Sequence, residues 1–263
     1  MSHRYALAWI VFGLLTPLLL HAQEPVGEKK VIVVPLDSMA VAKNDGDLLT
    51  WIHFGSMKFG STDPTYRLRV SKDGTAVVPK DRQQRESRLK LSEPEIQSLR
   101  KTLLEDLELP PIAGPWFNGE PNRWDGSQDC FLVRNDQTPI TLTCEYGWPS
   151  SSANQDHMIF RYHQVMQTYI DLIHLVRAGG KDAVVRQLPL ANQGLQQYLP
   201  EAAPLTIEDF AYGGDFTDGH RQVTFVREQE HAEGAWEKIR IEVFVPDVGK
   251  PRLGNITING KRY

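Results

Sequence analysis

Residues Tyr66–Asp106 read YRLRVSKDGTAVVPKDRQQRESRLKLSEPEIQSLRKTLLED, and the hydrophobic period changes inside this stretch. Tyr66, Leu68 and Val70 alternate with Arg67, Arg69 and Ser71, the period of a half-buried strand. Asp73-Gly74 supplies the two positive φ angles of a type I′ turn, and Thr75–Val78 return. Ser87, Leu89 and Leu91 alternate with Arg88 and Lys90 as a further strand. At Ser92 the period lengthens. Ser92-Glu93-Pro94-Glu95 is a capping box with proline in the first helical turn. Ile96, Leu99, Leu103 and Leu104 then recur at helical spacing, so Glu93 to about Asp106 is predicted to be an amphipathic helix. Strands in sequence followed by a helix make an α+β fold.

Upstream, Val31–Val34 and Leu48–Phe54 read as strands. Downstream, Pro110-Pro111 closes the helix, and Pro110–Gln128 reads as a long irregular segment holding Trp116, Phe117 and Trp124. Phe131–Val133 and Ile140–Thr143 form a hairpin. A turn centred on Gln137 sets Cys130 directly opposite Cys144, the geometry of a cross-strand disulfide. A second helix carries the stripe from Ile159 to Val176 and ends at Gly179-Gly180. Helical signals resume from Asp182 to Tyr198, broken near Pro189. Strands follow at Phe210–Phe216, Val223–Val226, Ile239–Val245 and Leu253–Ile258, with a second Asp-Gly turn at Asp218-Gly219.

The first 22 residues read as an address. Arg4 supplies a positive n-region, Ala6–Leu20 an apolar core, and Ala22 a cleavage site. The expected organisation is therefore a signal peptide at 1–22 and a disordered tail at 23–30. An α+β domain with the cysteine hairpin spans 31–178, and a helix plus four-stranded antiparallel sheet spans 181–263. The expected location is secreted or periplasmic, an oxidising setting that favours the Cys130–Cys144 disulfide. No later apolar run is long enough to span a bilayer, so no membrane partner is expected after leader cleavage. A net charge of −4 with interleaved signs argues against nucleic acid.

Neither a Gly-x-Ser-x-Gly elbow nor a P-loop nor a His-Glu-x-x-His pair occurs, and no enzyme, cofactor or metal is expected. His163 and His174 lie about 16 Å apart along one helix, too far to share an ion. Asp125–Asp129 spaces its oxygens as calcium loops do but lacks their downstream glycine and glutamate, so it reads as an Asx-rich turn. Nothing in the sequence brings together the acids Glu201, Glu208, Asp209, Glu228, Glu230 and Glu233. The aromatic loop is the candidate binding surface, with Trp116, Phe117, Arg123, Trp124 and Trp148 as ligand-binding residues. Tryptophan beside arginine on a connecting segment is the composition of a contact surface.

The run Leu190-Ala191-Asn192-Gln193-Gly194-Leu195 … Tyr198-Leu199-Pro200 … Pro204-Leu205-Thr206 resembles uncharacterised secreted two-domain proteins of planctomycete-type bacteria. The order of strands, the helix at Leu91–Leu104, the Cys130–Cys144 hairpin and the closing helix are similar to emfourin-type inhibitors of thermolysin-like proteases. Gly55-Ser56-Met57-Lys58 stands where that family has Ser-Gly-Gly. The second part is similar in element order to cystatin-like and PepSY-like modules. The expectation is an exported non-enzymatic binding protein taking a protein or glycan partner outside the cytosol. The alternatives are an inhibitor of a secreted metalloprotease and an unrecognised hydrolase.

Overall fold

The computed structural model describes residues 46–54, 64–109, 114–117, 128–135, 138–145, 157–230 and 236–263. The signal peptide, the 23–30 tail and the Val31–Val34 strand lie outside the described residues. Seven strands form the first sheet: β1 (Asp47–Phe54), β2 (Pro64–Ser71), β3 (Thr75–Val78), β4 (Ser87–Lys90), β5 (Gly114–Phe117), β6 (Gln128–Asn135) and β7 (Thr138–Glu145). Their order is β4-β3-β2-β1-β6-β7-β5, antiparallel except for β5 on β7. Five strands form the second sheet: β8 (Phe210–Phe216), β9 (His220–Glu230), β10 (Trp236–Pro246), β11 (Arg252–Ile258) and β12 (Lys261–Arg262), all antiparallel in the order β12-β11-β10-β9-β8. The helices are α1 (Glu93–Lys101), α2 (His157–Ala178), α3 (Lys181–Val185) and α4 (Leu188–Tyr198). The fold is mixed α+β.

Both Asp-Gly hairpins form, with a turn that differs from the expected one. Ser71 faces Thr75 across three loop residues, and Gly74 alone takes positive φ, at 82°. The same three-residue closure recurs at Thr217-Asp218-Gly219, where Gly219 has φ 85°. A three-residue loop ending in a left-handed glycine gives the strand twist that the two-residue turn would give. Space also demands glycine at 74, where a Cβ would lie 2.8 Å from Ile96 Cδ1 and 3.0 Å from the Leu91 carbonyl.

The capping box closes as expected, with the Ser92 N–H donating to the Glu95 carboxylate at 2.8 Å. The helix beyond it differs. After Lys101 the chain widens into one π-helical turn, Thr102–Asp106, closed by Leu107 N–H to Thr102 O at 2.8 Å. That turn buries Leu103 fully. Pro189 opens α4 in its first turn, where a proline costs no hydrogen bond.

The hairpin of β6 and β7 corrects the cysteine register. Asn135 pairs with Thr138 over two loop residues, so Cys130 pairs with Thr143, and Asp129 with Cys144. The turn centre lies half a residue before Gln137, which shifts the ladder by one. A one-residue shift assigns the two cysteine positions to opposite faces. In this register Cys130 and Cys144 are not directly opposed. Cys130 packs instead with Ile52, Leu132 and Tyr66 on the face away from the helices.

Two apolar cores meet along α2. Val165, Met166, Tyr169, Leu172 and Val176 join Leu49, Leu68, Val70, Phe131 and Val133 in the first. Ala178 and Leu175 join Leu195, Val223, Phe225, Ile239 and Ile241 in the second. The conspicuous Leu190–Leu205 run is explained by this second core. Ala191 and Leu195 are buried, while the Asn192 side-chain amide makes paired bonds to the backbone of Leu205, Nδ2 to O at 3.1 Å and N to Oδ1 at 2.6 Å.

Two partly buried groups set a pH dependence of stability. Burial against β8 pushes His174 below the ordinary histidine range, in spite of the Gly213 carbonyl 3.2 Å from its Nδ1. Burial raises Asp209, but hydrogen bonds from Arg227 and the Thr206 amide outweigh it and hold the carboxyl below its usual range. In both cases the unfolded chain binds more protons, so stability falls with falling pH. The urea midpoint is expected to hold above about pH 6.5, decline below it through His174, and decline again below about pH 4 through Asp209 and the other carboxyls held low, Asp81 and Glu95 among them. His174→Gln should remove the first decline and keep the second; an unchanged profile would show that His174 is not its source.

Candidate functional site

The site is built from one row across the first sheet. In β1, Leu49, Trp51 and His53 alternate onto the face that meets α2, and Leu49 and Trp51 enter the core. In β6, Asp129, Phe131 and Val133 share that face. His53 is directly opposite Asp129 in the β1–β6 ladder. The Asp129 Oδ1 accepts the Trp51 indole N–H at 2.8 Å and lies 2.9 Å from His53 Nδ1.

Asp129 is 6% exposed, and its neighbours are aromatic. The Trp51 and Phe131 rings lie 5.2 Å apart, and Phe131 and Tyr169 rings 5.0 Å apart. Tyr169 is anchored in turn by its hydroxyl donating to Leu132 O at 2.7 Å. A carboxylate in this setting needs its hydrogen bonds, because an unpaired charge in a low-dielectric pocket is costly. Its acceptance from Nδ1–H selects the tautomer whose Nε2 is left as the acceptor. The arrangement orients a half-buried imidazole on a buried carboxylate, with the aromatic rings of the core packed behind it.

The register extends this row in both directions. Thr65 pairs with His53, Asp129 with Cys144, and Cys144 with Trp116 of β5. The next row holds Pro64, Phe54, Gln128, Glu145 and Phe117. Trp116 and Phe117 thus belong to an edge strand, a correction to the irregular segment expected there. Strand β5 gains its backbone bonds by adding parallel to β7, a pairing that no local hydrophobic period announces.

Phe54, Phe117 and Glu145 all stand where a strand leaves this end of the sheet, and Pro64 and Gln128 where one enters. Connections 55–63, 118–127 and 146–156 therefore all join this one end. Arg123 and Trp124 belong to the second and Trp148 to the third, and all three lie outside the described residues. The residues that sequence reasoning missed are Trp51, His53 and Asp129. The alternation Trp51-x-His53 in a strand was their one local signal; the partner Asp129 is 76 positions away.

Among the described residues the remaining acids do not converge, and Glu233 lies outside them. Asp209 pairs with Arg227 at 2.6 Å, and Glu228 pairs with Lys238. Of Asp125–Asp129, only Gln128 and Asp129 belong to the described residues, and Asp129 serves His53. Among the described residues no group of three or more His, Cys, Asp or Glu side chains can hold a metal ion. No helix among them is long and apolar enough to cross a membrane. No protein-family model, curated protein or solved structure matches the chain.

Proposed function

We propose that this chain is an exported, non-enzymatic binding protein whose contact surface is the β1–β6–β7–β5 end of the first sheet. The observation that carries this reading is the register of β5 on β7, which joins Trp116 and Phe117 to the rows of His53, Asp129 and Glu145. Arg123, Trp124 and Trp148 sit in the connections that leave the same end. Large aromatic side chains beside an oriented imidazole suit a protein or glycan partner, since both offer apolar faces and hydrogen-bond donors.

Panels of cell-wall glycans and of unstructured peptides, probed with wild type, Trp116→Ala and Trp124→Ala, test the reading. At least one wild-type ligand should emerge, and each substitution should weaken it by about tenfold or more while the melting temperature stays within about 2 °C. A large loss of melting temperature in both variants would make the rings core residues and end the proposal.

The His53–Asp129 contact favours a hydrolase as the second reading, because an imidazole oriented by a buried carboxylate is the general base of many hydrolases. Activity on ester, peptide or glycan substrates that His53→Gln abolishes would establish it. Inhibition of a secreted metalloprotease rests on the strand–helix–hairpin–helix order of the first part, and the cystatin-like or PepSY-like comparison on the helix-then-sheet order of the second. Titration against a thermolysin-like protease at micromolar concentration decides the inhibitor version.

A further inference from the structure

The second sheet carries a cavity far in sequence from the aromatic end. It encloses about 420 Å³ between the turn after α3 and the ends of β9, β10 and β11. Its polar lining is Arg186, Gln187 and Arg221, its apolar wall includes Ala183, Val245 and Pro251, and no carboxylate lines it.

Arg186 is exposed and unpaired among the described residues, and Arg221 is only loosely paired. Arg221 has a buried Nε without a hydrogen-bond partner. Its nearest carboxylate oxygen, Asp215 Oδ2, is 3.9 Å away and already accepts the Ser87 hydroxyl at 3.0 Å. The guanidinium is seated by Gly179, at φ 91°, where a Cβ would lie 2.5 Å from Arg221 Nη1. Any other residue at 179 would push this arginine off its seat.

Gln187 completes the set. It is buried, and its Nε2 donates to Ala183 O at 3.1 Å, which leaves Oε1 to accept from a ligand. Two guanidinium groups complement a carboxylate, an amide oxygen complements an N–H, and the Ala-Val-Pro wall complements a short aliphatic side chain. We propose that this cavity binds the carboxylate end of an N-acylated small apolar amino acid, such as the C-terminal residue of a peptide.

Calorimetric titration of the full chain with N-acetyl-L-valine tests this, alongside its neutral N-methylamide, a tetrapeptide ending in valine, and inorganic phosphate. The carboxylate should bind with a Kd on the order of 1 mM and the methylamide at least tenfold more weakly. Tighter binding of the tetrapeptide identifies a peptide terminus as the source; equal binding identifies the free acylated residue, and either supports the site. Arg186→Gln, an exposed change outside the Asp215 network, should weaken the carboxylate about tenfold. Arg221→Gln should do the same, and if it fails to fold, Arg186→Gln alone decides. No heat with the carboxylate at ~10 mM, equal binding of the methylamide, or an unaffected Arg186→Gln would overturn the proposal. Phosphate binding as tightly as N-acetyl-L-valine would also overturn it, since a plain anion site has no use for the apolar wall.

Discussion

Replacing Gly213 by alanine is expected to destabilise the protein by about 3 kcal/mol or more, among the largest effects of any single methyl group in the chain. At Gly213 strand β8 presses directly on the backbone of α2. A Cβ at 213 would lie 2.0 Å from the His174 carbonyl oxygen and 2.9 Å from both Ala178 N and Ala178 Cβ. Two of these atoms are backbone in the last turn of α2, held by the helix behind them, so relief requires separating β8 from the end of α2. Separation would open the contact between Ala178 and the second core and break the His174–Gly213 bond. At roughly 2–4 °C per kcal/mol for a chain of this size, the melting temperature should fall by about 6–12 °C. Gly214 supplies the control. A Cβ there meets Phe216 Cε2 at 2.6 Å and the Tyr212 hydroxyl at 3.1 Å, both ends of movable side chains. Gly214→Ala should therefore cost much less. Equal melting temperatures for the two variants would show that β8 does not press on the helix backbone.

Gly213 also marks what the sequence could not disclose. Local periods found the hairpin at Tyr66–Val78, the capped helix at Ser92, the long apolar stripe of α2 and the four strands from Phe210 onward, because each is written in neighbouring residues. What depends on pairing at a distance is not written in neighbouring residues. The register of the cysteine hairpin is open in the sequence by one residue, since a turn at Asn135–Thr138 can close with either centre and only the ladder decides. Strand β5 reads as irregular in the sequence because its pairing with β7 lies 28 positions downstream, as Gly114 to Leu142. His53 and Asp129 carry no joint signal in the sequence, because only the pairing of β1 with β6 sets them side by side. The Asn192 run, which carried the resemblance, proves to be a packing and pinning device, with its amide committed to Leu205. Recurrent residues there need no ligand to explain them.

The second large effect is expected at Asp215, where Asp215→Ala should cost about 3–5 kcal/mol. This carboxylate is 3% exposed and sits on β8 facing the segment that joins β3 to β4. Arg85 donates to its Oδ1 from Nε at 3.0 Å and from Nη2 at 2.5 Å, while the buried Ser87 hydroxyl donates to Oδ2 at 3.0 Å. Backbone bonds run beside them, Arg85 N–H to Asp215 O at 2.7 Å and Thr217 N–H to Gln83 O at 3.2 Å. The segment thus lies along β8 as a short extra strand and covers the edge of the second sheet. Removing the carboxylate leaves a buried hydroxyl without an acceptor and half of the Arg85 fork empty, which costs more than the pair gains. Asp247 still accepts from Arg85 Nη1 at 2.6 Å, but it is half exposed and cannot replace a buried partner. Asp215→Asn keeps an acceptor for Ser87 and should lose about half as much. Arg85→Ala combined with Asp215→Ala should lose less than the sum of the two singles by at least about 1 kcal/mol, because each single strands the other's charge. Strict additivity in urea denaturation would mean that the backbone bonds alone hold the segment against β8.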